Sequence, residues 1–186
     1  MINDMPSGTI HDRITLWTLP WISGITYGLT RNGDLTLLVS GSFLFSGLMF
    51  GPDLDILSIQ LKRWGFLRGI WRPYRQLLRH RSFFSHGLII GTCLRVMYLL
   101  AIVIWLAIFL VGIAQLLFGF PWNWQQFAIA KYHLLTHYYY RESLAVFIGL
   151  ELGAMSHSLS DWIGSNHKKR LKKKQSKTVK IAKIKR

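Results

Sequence analysis

A chain of 186 residues is long enough for one domain with a real core and too short for two ordinary ones. At 51% hydrophobic, 14% aromatic and only 17% charged, it departs from a typical soluble domain in the direction of a membrane protein. The net charge of +15 is concentrated between Lys62 and Arg81 and in the C-terminal tail, which favours anionic lipid or nucleic acid as partners. Cys93 stands alone, so an intramolecular disulfide and a thiolate zinc cluster are both excluded, and any metal must use His, Asp or Glu.

Taken in order, the N-terminus lacks the basic and apolar regions of a cleaved signal peptide and is expected to stay in the cytoplasm. Thr9 followed by Asp12 ahead of an apolar run reads as a helix start near His11. Residues 14–29 are apolar but interrupted by Pro20 and Gly24, Arg31-Asn32-Gly33-Asp34 reads as a turn, and residues 35–50 form a second apolar run rich in small residues. The pair predicts a helical hairpin, inserted in a membrane or buried in a core, because each arm is a little short of the roughly 20 residues a clean span needs.

Gly51-Pro52-Asp53-Leu54-Asp55 then places two carboxylates on a turn, and Arg79-His80-Arg81-Ser82-Phe83-Phe84-Ser85-His86 supplies two imidazoles among arginines. Between them Trp64, Phe66, Trp71 and Tyr74 alternate with Lys62, Arg63, Arg68, Arg72 and Arg75, a mixture that suits a membrane interface or a solvated loop with packing aromatics. Residues 96–120 carry no charge and predict a transmembrane helix. Residues 144–163 are apolar again yet contain Glu151, His157 and Asp161, groups that are costly in such a segment unless they have a partner. Residues 167–186 are polybasic and predict a disordered tail, leaving residues 1–166 as the folded domain.

The excess of Lys and Arg places the Lys62–Arg81 interval and the tail in the cytoplasm, so the helix at 96–120 leads out and the one at 144–163 returns. His157 and Asp161, an i, i+4 pair on one helix face, thereby reach the side that holds Asp53, Asp55, His80 and His86, and a hairpin at 14–50 adds His11 and Asp12. The fold expected is an all-α, multi-pass helical membrane bundle with a metal site at one face of an inner membrane. His11, Asp53, Asp55, His80, His86, His157 and Asp161 are the expected ligands of a divalent metal, zinc by ligand type, with Asp12 and Glu151 near them. Two or three ions, or one ion with outer carboxylates, would use the whole set. A bound water as nucleophile, Asp55 as base and Arg79 or Arg81 holding a phosphate describe a phosphoester hydrolase acting on a soluble or lipid substrate. A non-catalytic, membrane-anchored metal-binding or scaffold protein is the alternative, its tail recruiting anionic lipid or nucleic acid.

These motifs, His11-Asp12-Arg13, Pro52-Asp53-Leu54-Asp55, His80 to His86 and His157-Ser158-Leu159-Ser160-Asp161, resemble those of a cyanobacterial-type group of uncharacterised bacterial metal-binding membrane proteins. They are also similar to inner-membrane metal-dependent hydrolases and, in ligand order alone, to zinc-dependent phospholipase C. The last resemblance implies ligands at His11, Asp53 or Asp55, His80 or His86, and the His157–Asp161 pair. That enzyme's later ligands have no counterpart after Asp161.

Overall fold

The computed structural model describes residues 8–78 and 82–184, with side chains as far as residue 165. Every regular element among the described residues is helical. Two long antiparallel helices, α1 (Gly8–Thr30) and α2 (Gly33–Leu48), form the predicted hairpin. Asn32 turns the chain between them and caps α2, its side chain accepting the Leu35 N–H at 3.0 Å. Contrary to the break expected at Pro20, α1 runs through it. Packing along α2, including a 2.8 Å contact between the Ser23 and Ser40 hydroxyls, holds both sides of the proline in one helix.

After α2 a 3-10 turn (Pro52–Asp55) leads into short pieces: α3 (Ile59–Lys62), a second 3-10 stretch (Gly65–Trp71), α4 (Arg72–Leu77) and α5 (Phe83–His86). The long helix α6 (Ile90–Phe118) then departs, and α7 (Trp124–His133) and a π turn (Leu134–Tyr138) connect it to α8 (Tyr140–Ile184). The backbone of α8 continues through the polybasic stretch read from sequence as disordered; extending an existing helix adds one bond per residue and avoids the cost of nucleation.

The bundle proper is α1, α2 and α8, with α2 lying closest to α8. Glycines make that approach possible. A Cβ on Gly153 would lie 2.6 Å from Phe43 O, and one on Gly149 would meet Ser42 Oγ and Val39 O. Ser46 fills the space left between them and donates to Leu150 O at 2.6 Å. Gly149 and Gly153 are four apart, the small-residue spacing that brings membrane helices into backbone contact.

A second core lies under the short pieces, where Phe50, Leu54, Leu61, Trp71 and Tyr74 pack on Leu150. Trp71 and Tyr74, candidates for an interfacial belt in the sequence, are therefore core residues, while Lys62, Arg68 and Arg72 of the same stretch face outward. Burial pushes the Tyr74 hydroxyl up to about 12, against a partial opposing pull from Arg95. A raised tyrosine pKa stabilises the fold fully below the unfolded value near 10 and is lost as pH rises from there through 12. Melting curves should therefore fall in that alkaline window for the wild type, and by less for Tyr74→Phe.

Two segments are long and apolar enough to cross a membrane, Gly33–Asp55 and α6; the most apolar 18-residue window of the first is 44% buried within the protein and that of the second is not buried. The second starts at Ile90 rather than at Val96 because Arg95 belongs inside it. That guanidinium is buried, donating to Ser85 O at 3.1 Å and to Thr92 Oγ1 at 2.9 Å.

Candidate metal centre

Four separate segments meet at one end of the α1–α2–α8 bundle. His11 comes from the first turns of α1, Asp53 from the 3-10 turn, His86 from α5, and His157 and Asp161 from one face of α8. Gly47 lets α1 approach α2 there, since a Cβ would lie 2.6 Å from Thr15 Oγ1. Asp12, one residue from His11, points elsewhere: it forms a two-pronged pair with Arg63, whose guanidinium also donates to Leu48 O at 2.8 Å. The pair straps the start of α1 to the end of α2 and does not orient His11.

Each imidazole is held by its Nδ1 and turns its Nε2 inward. Ser160 Oγ lies 2.6 Å from His11 Nδ1, Ser85 Oγ lies 2.8 Å from His86 Nδ1, and Gln60 Nε2 lies 3.4 Å from His157 Nδ1 while donating to Gly47 O. The Gln60 contact is too long to fix a tautomer, but the Ser160 contact does so. Its single O–H is given to His157 O at 2.8 Å, so Ser160 accepts from His11 Nδ1–H and the lone pair of His11 sits on Nε2.

That lone pair faces Asp161 Oδ1 at 3.1 Å. His157 Nε2 lies 3.2 Å from Asp53 Oδ2 and 3.9 Å from Asp161 Oδ2, and His86 Nε2 lies 3.8 Å from Asp53 Oδ1. Both Asp161 oxygens are buried and accept no hydrogen bond among the described residues. Two electron-rich atoms at 3.1 Å in a buried place are stabilised by a proton or a metal ion between them. A single proton on Asp161 or on His11 would satisfy that one contact, but it would leave the His157 Nε2 turned to both carboxylates unserved, and charging both rings, which stack with centroids 3.9 Å apart, would set two imidazolium ions against each other at short range. One metal ion shared by His11, His157 and Asp161 resolves the arrangement without that repulsion. Their ligand atoms lie within 4.8 Å of one another, as do those of Asp53, His86 and Asp161.

A family model with the description "Uncharacterized metal-binding protein (DUF2227)" matches residues 6–171. The chain belongs to this metal-binding family. No curated protein and no solved structure matches it. The residues fit the ion that the family implies: imidazole nitrogens with tethered Nδ1 atoms, and a buried carboxylate lacking hydrogen-bond donors among the described residues, form a donor set suited to a divalent cation.

Of the ligands expected from sequence, His11, Asp53, His86, His157 and Asp161 converge. Asp55 does not join them. In a 3-10 turn of three residues per turn, positions i and i+2 point to different sides, so Asp53 faces the centre while Asp55 is buried where its charge acts on Tyr74 and Arg95. His80, with Arg79 and Arg81, lies outside the described residues. Glu151 accepts the Ile89 N–H at 2.9 Å and thereby ties α8 to the start of α6.

Sequence reasoning missed the residues behind the imidazoles: Ser160, Ser85 and Gln60. A hydroxyl next to or three residues from a histidine was the available signal, but serines at such spacings are common. Ser160→Ala is expected to weaken metal affinity by about 10–100-fold with little change in helical content, since it frees His11 without removing a ligand. Isothermal titration with zinc measures this.

Proposed function

We propose that this chain is a multi-pass membrane protein that holds a divalent metal, zinc by the character of its ligands, at one membrane face and hydrolyses a phosphoester there. The observation that carries the metal reading is the His11 lone pair directed at Asp161, a buried carboxylate that no hydrogen bond among the described residues satisfies. His11, His157 and Asp161 would hold the ion. When bound, such an ion polarises a phosphoryl oxygen and brings the pKa of its water close to neutral.

The chain's own part is to bind, orient and exclude. Ser160 and Gln60 keep two Nε2 atoms directed inward, burial keeps bulk water away, and a cavity of about 20 Å³ bordered by His11, Asp53, Gln60 and His157 has room for about one water. Supporting the membrane placement are α6, uncharged from Val96 to Phe118, and the exposed cations Lys62, Arg68 and Arg72, which suit anionic headgroups on the cytoplasmic side.

A second reading, metal binding without turnover, is favoured by the small size of that cavity. The two are separated by loading purified full-length protein with zinc and offering soluble and lipid phosphoesters. Turnover that disappears on chelation and in His157→Ala supports hydrolysis. Bound metal without turnover on any of them supports the non-catalytic reading, and protein that takes up no metal contradicts both.

A further inference from the structure

We infer that the centre holds two ions, not one, with the Asp161 carboxylate spanning them and Asp53 and His86 completing the second position. The inference rests on the metal reading above and extends it. Five side chains alternate in space as His11, Asp161, His157, Asp53 and His86. Each carboxylate lies between two imidazoles and turns a different oxygen to each. Asp161 directs Oδ1 to His11 and Oδ2 to His157, and Asp53 directs Oδ2 to His157 and Oδ1 to His86.

A single ion among His11, His157 and Asp161 uses one end of this row. The other end repeats the same construction, since Asp53, His86 and Asp161 also offer ligand atoms within 4.8 Å of one another, and His86 is held by Ser85 as His11 is held by Ser160. Asp161 is common to both groups, and neither of its oxygens accepts a hydrogen bond among the described residues, so both remain available to cations. Carboxylate-sharing pairs of ions stand about 3.5–4 Å apart in known two-metal sites, a separation that one carboxylate can span.

Charge then selects the ligand class. Two carboxylates balance one divalent ion and leave three neutral imidazoles, a centre with no net charge. With two divalent ions the same residues leave a surplus of two positive charges in a buried place, which calls for an anion. Buried Arg95 and the Glu151 carboxylate border a cavity of about 10 Å³ beside His86 and offset each other's charge, so the surplus belongs to the ions. A phosphoryl group, clamped by two cations, is the anion this arrangement serves.

The test is manganese(II) loading of the full chain in detergent, with ions counted by mass spectrometry and their coupling read by electron paramagnetic resonance. Two ions per chain with an exchange-coupled spectrum are expected for the wild type. His86→Gln, which keeps side-chain bulk, should fall to one ion with an uncoupled spectrum and keep wild-type helical circular dichroism. One uncoupled ion per chain in the wild type overturns the two-ion proposal and leaves the single-metal reading standing; no bound ion overturns both. Should His86→Gln fail to fold, the wild-type count and spectrum still decide.

Discussion

Asp161→Asn is expected to lower divalent-metal affinity by at least about 100-fold, because changes behind the ligands alone cost 10–100-fold and this one removes the shared charged ligand. The substitution keeps the shape of the side chain, so the helix around it should persist. Its effect on stability has opposite signs with and without metal. In excess metal the wild type gains about 2.7 kcal/mol at a free concentration 100 times its Kd, and the variant loses that gain. Without metal, the wild type buries a carboxylate whose oxygens accept no hydrogen bond among the described residues, so the neutral amide should be equally stable or more so. Melting both proteins with zinc and with chelator measures the crossover. A variant less stable than wild type under chelator would indicate that Asp161 is a structural partner of His11 rather than a ligand.

Trp71→Ala is expected to cost about 3–5 kcal/mol, the range for removing a large buried aromatic. Trp71 is fully buried, with Phe50, Trp64, Tyr74 and Tyr98 around it at ring separations of 5.1–5.6 Å. This core supports Leu54 in the turn that carries Asp53, so metal affinity should fall along with stability. Trp71→Phe should lose less, because a ring remains and the indole N–H, which has no hydrogen-bond partner among the described residues, is removed. Phe66→Ala, at a side chain 92% exposed, should leave stability in detergent unchanged. Chemical denaturation of the three variants gives the order.

What the sequence made legible follows from which signals are local. The uncharged run after Val96 marks α6, and the i, i+4 spacing of His157 and Asp161 puts both on one face of α8, since each depends on a single helix. The hairpin was readable from Arg31 to Asp34. Long-range pairing was not. The uncharged run begins at Val96, yet the helix begins earlier, where Ser85 O and Thr92 accept hydrogen bonds from Arg95 inside it. Asp53 and Asp55 looked equivalent until the 3-10 turn sent them to different sides. Trp71 and Tyr74 alternate with cations in a way that suits an interface equally well, and only packing on Leu150 places their rings inside. The Gly149–Gly153 spacing carried a usable signal for close packing, hidden in a segment where the acids and histidine drew the reading.

The most direct test of the central claim is X-ray absorption at the zinc edge of the purified full chain. A buried His and Asp centre predicts only nitrogen and oxygen neighbours at about 2.0–2.2 Å, with imidazole scattering beyond them that weakens in His11→Ala and His157→Ala. A sulfur neighbour at about 2.3 Å would move the metal to Cys93, and zinc-free protein after loading would contradict the account outright.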